Sequence, residues 1–193
     1  AVQMIDANSR TVTGWNSGIS AENQIQGTGV TYRSPNQKDK PFQISAVALN
    51  GEILNDSSAN VASTAPPSRG SVAGIQGSGR YAGFGYNIEV AGSSYNGNTL
   101  SSEGAKQDTA ETISLDKIVG RGNLGANYQR AGARFASIAN PGVTYDREQY
   151  ALTAGTGFGF STLSLSLSRA HDNLDNDSAR PVTYDNNFGL TYA

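Results

Sequence analysis

The sequence feature that most constrains the fold is a run of alternating leucine and serine within residues 160–169. Leu163, Leu165 and Leu167 take every second position, and serines lie between them. Side chains of a β-strand point to opposite faces with a period of two, whereas a helix would distribute these leucines around its axis. The run therefore predicts a strand with one leucine face and one hydroxyl face.

A strand of this kind fits two environments. In a soluble β-sandwich the leucines would face the core and the serines the water. In a transmembrane barrel the leucines would face lipid and the serines the lumen. The pattern of a single strand does not separate these alternatives, so the connections between strands must.

Alternation bounded by turn residues recurs along the chain and predicts about ten strands. The strongest short hairpin signal is Asn50-Gly51, which predicts a tight turn at that point. Residues 1–10 show no clear period. We expect strands at residues 12–19, 24–33, 41–49, 52–54, 71–82, 86–95, 112–120 and 125–135, and further strands from residue 145 to the end.

The predicted connections alternate in length. Short corners lie near residues 50, 84, 123 and 158, and longer polar loops lie near residues 62, 103, 140 and 176. Membrane barrels have short turns on one rim and long loops on the other. This alternation of connection lengths favours an all-β antiparallel meander over residues 1–193, forming one transmembrane β-barrel domain of about ten strands or a segment of a larger barrel.

Aromatic residues near the predicted strand ends fit the aromatic girdles that barrels have at the membrane interface. They are Tyr81, Phe84, Tyr86, Tyr145, Tyr150, Phe158, Phe160, Tyr184 and Phe188.

Composition agrees with this interpretation and excludes other classes. Hydrophobic residues make up 37% of the chain and the mean hydropathy is -0.42, as polar loops and a polar lumen would produce. The net charge is -2 and no basic patch dominates, so we expect no nucleic-acid partner. Cysteine is absent, which excludes thiolate metal sites and cysteine nucleophiles. We predict no enzyme, because His171 is the single histidine and no acid/base constellation stands out.

Two sets of residues are candidates for sites. Asp172, Asp175 and Asp177 could supply oxygen ligands to Ca²⁺, but the loop lacks the glycine and final glutamate of an EF-hand, so a solvated acidic loop is the favoured explanation. Charged residues inside or beside predicted strands are candidates for lining a pore, with a solvent-facing position as the alternative. They are Arg80, Glu89, Lys117, Arg121, Arg130 and Arg134.

The last third of the chain resembles a known family in the order of its strands and loops. A strand GANYQRAGARFASI is followed by a Pro-Gly loop, YDREQY, a glycine-rich strand and its partner. This order resembles the barrel regions of outer-membrane porin-like and S-layer-associated proteins of the Deinococcus–Thermus kind. The resemblance implies a channel-forming or envelope-scaffolding barrel. Those proteins are longer and carry an N-terminal anchoring domain, so we expect this chain to be part of something larger.

The functional expectation follows from these observations. We expect an outer-membrane channel or envelope scaffold that lets ions and small solutes pass without catalysis. Membrane lipid, other envelope or S-layer subunits and a second copy of the chain are the expected partners. The alternative is a secreted or surface-exposed β-sandwich that binds carbohydrate or a protein partner.

Overall fold

The described residues of this chain form a single antiparallel sheet. The computed structural model describes residues 23–34, 42–53, 66–137 and 144–193. The strands are β1 (Asn23–Arg33), β2 (Phe42–Ile53), β3 (Ser68–Tyr81), β4 (Phe84–Asn96), β5 (Lys106–Val119), β6 (Gly122–Ala131), β7 (Arg147–Phe158), β8 (Ser161–Asp172) and β9 (Tyr184–Tyr192). In these ranges there is no helix that could cross a membrane. The predicted all-β antiparallel meander is confirmed.

The order of strands in the sheet is the order in the sequence, from β1 to β9. Each strand pairs antiparallel with the next, as in the β7–β8 ladder that runs from Arg147 opposite Asp172 to Phe158 opposite Ser161. Within the described ranges the sheet does not close, and β1 and β9 are its two edges. Nine strands lie close to the expected number of about ten, whereas closure into a barrel is not observed among them.

The connections between strands lie on two rims of the sheet, and those from β3 to β9 are short on one rim and long on the other. Residues 82–83, 120–121 and 159–160 make two-residue turns on one rim, which we call the short-turn rim. The opposite end of the sheet, the long-loop rim, carries the connections 97–105, 132–146 and 173–183. The predicted alternation of short turns and long loops is therefore confirmed for β3 to β9.

The predicted hairpin at Asn50-Gly51 is wrong, as is the short return strand at 52–54. β2 continues through both residues to Ile53. Asn50 pairs with Gln26 on one side and Ser71 on the other, and Gly51 is buried between its neighbours. An Asn-Gly pair permits a tight turn but does not enforce one. Here both adjacent strands supply hydrogen-bond partners across the pair, so the extended ladder is favoured.

Several other boundaries differ from the predictions. β5 begins at Lys106 rather than 112, because its first residues pair with Tyr95 and its predecessors on β4. β6 covers Gly122–Ala131 instead of 125–135, and the corner predicted at 122–124 is the turn 120–121. The corner predicted at 157–159 lies one to two residues later, at 159–160. The strand predicted at 12–19 lies outside the described residues.

Each two-residue turn places a residue in the left-handed backbone region. Gly120 and Gly159 open their turns with φ of 59° and 63°. Hairpin turns of the type with one positive φ take glycine at this first position. The β3–β4 turn has positive φ at both central residues, Ala82 at 50° and Gly83 at 79°. Ala82 therefore occupies a conformation that costs an alanine about 1 kcal/mol.

Replacing Ala82 with asparagine should stabilise the folded chain. Asparagine tolerates the left-handed region, and Asn-Gly is the preferred pair for a turn with two positive φ values. We expect Ala82→Asn to raise the free energy of unfolding by about 0.5–1 kcal/mol, measured by denaturant titration. Ala91→Asn, in the extended part of β4, is the control and should not stabilise. Equal effects of the two variants would contradict the turn geometry.

The residues that the structure describes form almost no hydrophobic core. In the described part of the chain the buried hydrophobic residues are Ala131, Phe135 and Ala170, and no large side chain is fully buried. Soluble domains bury their leucine, isoleucine, valine and phenylalanine side chains instead. Burial of large side chains between described elements therefore contributes little to the stability of this sheet.

Candidate functional site

The strand pairing divides the side chains into two faces of different chemistry. Directly paired residues share a face, and successive residues of a strand alternate between faces. Leu152 on β7 pairs with Ala126 on β6 and Leu167 on β8, and Leu167 pairs with Phe188 on β9. We call the face that contains these residues the apolar face. The opposite face, which contains Ser164, Ser166 and their paired neighbours, is the polar face.

Large hydrophobic residues are concentrated on the apolar face and are exposed there. Of the 26 exposed large hydrophobic side chains in the described ranges, 20 lie on this face by strand register. The six others are Ile53, Leu100, Ile118, Tyr145, Phe160 and Val182. Exposed apolar patches on soluble monomers rarely exceed a few hundred Å². These exposed side chains extend across all nine strands, and we call the strip that they form the apolar band.

Aromatic rings mark the short-turn border of the apolar band. The rings of Tyr32 and Phe42 lie 5.8 Å apart, and those of Phe158 and Tyr192 lie 6.2 Å apart. Lys117 also lies at this border, with its Nζ 4.0 Å from the centroid of the Phe84 ring. A lysine there packs its alkyl chain on the apolar surface and keeps its charge at the edge.

A second aromatic row marks the border toward the long-loop rim. The rings of Tyr128 and Tyr150 are 5.1 Å apart, and the Tyr128 hydroxyl donates to Glu148 Oε1 over 2.9 Å. Along β7 the band runs from Phe158 to Tyr150, eight residue steps or about 27 Å. A tilt of about 40°, typical of barrels, would reduce this to about 21 Å, close to the ~25 Å apolar band of such proteins.

Beyond the second aromatic row the apolar face becomes charged. Arg69 Nη2 lies 3.3 Å from Glu52 Oε1, and His171 Nε2 lies 3.5 Å from Glu148 Oε2. Arg130, a sequence-predicted candidate, belongs to this charged row and lies 4.0 Å from a Glu111 oxygen. Along β6 and β7 the charged residues therefore follow the hydrophobic ones, whereas Glu111 pairs directly with Val90 and Arg169 pairs directly with Tyr150.

The polar face is built from hydroxyls, amides and glycines. Thr31 and Ser45 on adjacent strands share a 3.0 Å hydrogen bond between their hydroxyls. Gln76 donates to Asn87 Oδ1 over 2.8 Å. Further along the sheet Asn127 donates to Ser114 Oγ over 2.8 Å, so cross-strand pairs satisfy these groups. Toward the long-loop rim the backbone N–H of Ala136 donates to Ser93 Oγ over 3.2 Å.

The structure distributes the six charged candidates over different places. Arg80 and Glu89 lie on the polar face, and Arg80 is 3.8 Å from Asp116. Lys117 and Arg130 lie on the apolar face at its two borders. The remaining two are outside the strands: Arg121 is in the β5–β6 turn, and Arg134 follows β6, where its backbone N–H donates to Asp108 Oδ2.

The three aspartates proposed for Ca²⁺ do not converge on one point. Asp172 accepts the backbone N–H of Thr183 over 2.6 Å. Asp175 and Asp177 each lie 3.5 Å from the guanidinium of Arg180. In the described part of the chain no group of three acidic or histidine side chains is arranged to hold a metal. An arginine thus lies between the carboxylates of this loop.

Sequence reasoning missed the residue that organises this loop, Asp146. It is buried, and its Oδ2 accepts from Arg180 Nη2 over 2.8 Å while its Oδ1 accepts from the backbone N–H of Leu174 over 2.8 Å. The hydrogen bond to Asp146 raises the pKa of Arg180 above its ordinary value, so the guanidinium stays charged. The partners lie 34 residues apart, so no local pattern in the sequence could reveal the pair.

No known protein family, curated protein or solved structure matches this chain.

Proposed function

We propose that this sheet is part of the wall of an outer-membrane β-barrel that lets ions and small solutes pass. The observation that carries the proposal is the apolar band, which is exposed on one face of all nine strands and bordered by aromatic rings. Burial of one large hydrophobic side chain contributes about 1.5–3 kcal/mol. Contact with lipid would recover this contribution for every residue of the band.

The borders of the band support a membrane orientation. Tyrosine and tryptophan rings favour the interface between hydrocarbon and water, and charged groups favour the layer beyond it. The band follows this order toward the long-loop rim, where Tyr128 and Tyr150 precede the pairs formed by Glu148 and by Arg130. In bacterial barrels the long loops lie outside the cell. This rim would then be available to other envelope or S-layer subunits, or to a second copy of the chain.

The polar face supports a path for solutes rather than a catalytic site. Its amide and hydroxyl groups are the kind that line a water-filled lumen. Arg80 and Glu89 are the sequence-predicted pore candidates on this face. Passage past such a surface requires no covalent chemistry, and selectivity would come from the charges along it.

The alternative, a soluble β-sandwich that binds carbohydrate or a protein, requires a second sheet over the apolar band. The described residues form one sheet, and none of their strands lies across its apolar face. A partner sheet would have to come from elsewhere. A membrane barrel should not fold in plain buffer, whereas a soluble sandwich should.

Refolding of the chain with and without detergent tests the proposal. We expect β-type circular dichroism and compact migration on an unheated gel only when detergent or lipid vesicles are present. Conductance steps in planar bilayers should follow. A chain that is folded, monomeric and stable in buffer alone would contradict the membrane proposal and favour the sandwich. A matched sample that is boiled before electrophoresis serves as the unfolded control.

A further inference from the structure

Glu89 lies in the middle of the polar face. It belongs to β4 and pairs directly with Gln76 on β3 and Thr112 on β5. Its sequence neighbours, Ile88 and Val90, are exposed on the opposite, apolar face. Glu89 therefore lies directly behind the apolar band, at the level that hydrocarbon would surround in a transmembrane wall.

Among the described residues, Glu89 differs from the other charged side chains of the polar face in having no hydrogen-bond or ion-pair partner. Arg80 lies beside Asp116, and Arg147 Nη2 lies 3.1 Å from Asp185 Oδ2. Arg33, at the sheet edge, donates to a glutamine over 2.8 Å. Within the described ranges Glu89 is exposed and makes neither a hydrogen bond nor an ion pair.

The groups around Glu89 leave its carboxylate free. The Gln76 amide, which could approach it across the strand pair, donates instead to Asn87. Thr112 on the other side carries no charge. A carboxylate with neutral neighbours attracts mobile cations with its full charge. The field of a paired carboxylate is largely cancelled by the opposite charge of its partner.

We propose that Glu89 makes the solute path selective for monovalent cations over anions. The inference rests on the proposed function, because it assigns the selectivity of the same polar face. A unit charge about 4 Å from an ion in water changes the local ion concentration about fivefold, and a narrower or less polar space increases the effect. Since exposed charges are screened over ~10 Å at 0.1 M salt, the preference should be greatest in dilute electrolyte.

Reversal potentials across planar bilayers with a KCl gradient test this inference. We expect the native chain to favour K⁺, and Glu89→Gln to lower the K⁺/Cl⁻ permeability ratio about fivefold or more. Glu89→Lys should favour Cl⁻. The control is Glu103→Gln, which removes the same charge from the β4–β5 loop, where Glu103 pairs with Lys106 over 3.3 Å. This control should leave the ratio unchanged.

The outcomes separate the two proposals. Conductance with the same permeability ratio in the native chain and in Glu89→Gln overturns the assignment of Glu89 alone. An equal change in Glu103→Gln also overturns it, because a general loss of charge would then explain the result. Absence of conductance in any folded, vesicle-inserted sample overturns the proposed function together with this inference.

A second measurement reads the local potential without current. The chain contains no cysteine, so Thr112→Cys supplies a single thiol directly opposite Glu89. In vesicle-inserted protein, a cationic thiosulfonate reagent should label this thiol faster than an anionic one. Adding Glu89→Gln should lower the ratio of the two rates by up to about 25-fold, because the cationic rate falls and the anionic rate rises by about fivefold each. An unchanged ratio would show that Glu89 does not attract cations to this surface.

Discussion

Leu152→Arg should destabilise the lipid-inserted chain by about 2–4 kcal/mol, the cost of an arginine near the midplane on the lipid face of a barrel. Leu152 lies in the centre of β7 on the apolar face, is 56% exposed, and pairs with Ala126 and Leu167. An arginine at this position cannot reach either border of the apolar band without distortion. The measurement is reversible denaturant unfolding of vesicle-inserted protein.

The matched control is the next residue of the same strand. Thr153→Arg introduces the same side chain on the polar face, where Thr153 is exposed. We expect a change of less than about 1 kcal/mol, because the guanidinium would remain in water. If Thr153→Arg were the more damaging variant, the two faces would be assigned the wrong way round. If Leu152→Arg were as harmless as Thr153→Arg in vesicle-inserted protein, the apolar band would not contact lipid.

Asp146→Ala should destabilise the long-loop rim by about 2 kcal/mol, because it removes a buried acceptor that satisfies two donors. One donor is the backbone N–H of Leu174, and the other is the guanidinium of Arg180. The arginine is 51% exposed, so water compensates part of its loss. Hydrogen exchange at the Leu174 amide and proteolysis within residues 173–183 should both accelerate.

Asp175→Ala is the control for this prediction. Asp175 contacts the same guanidinium at 3.5 Å but is far more exposed than Asp146. Exposed ion pairs contribute about 0–1 kcal/mol, so we expect little change in exchange or cleavage. Similar effects of Asp146→Ala and Asp175→Ala would mean that general acidity of the loop, and not one buried carboxylate, maintains its structure.

The sequence alone predicted those strands and turns whose residue pattern lies within one short segment of the chain. The alternation of leucine and serine predicted β8, and the corners predicted near residues 84, 123 and 158 lie within a few residues of the observed turns. Asn50-Gly51 failed because the decision depends on what lies beside it, and both neighbouring strands offer it hydrogen-bond partners. Turn propensity is a local quantity, whereas pairing across the sheet is not.

The candidate site shows the same division. Each strand by itself displays apolar and polar alternation, but only the register shows that Leu152, Leu167 and Phe188 lie side by side. The register also separates Arg80 and Glu89 from Lys117 and Arg130, which composition had grouped together. One residue of shift moves a side chain to the other face. Face assignment therefore needed the pairing.

The two edge strands have a consequence for how the sheet could be completed. β1 and β9 both run from the long-loop rim to the short-turn rim, because eight antiparallel steps separate them. A ring in which β9 bonded directly to β1 would contain one parallel pair. A ring that is antiparallel throughout has an even number of strands, so it takes an odd number in addition to these nine. Two copies inserted in the same orientation would meet in parallel at each junction, so strand direction sets a parity condition on what completes the wall.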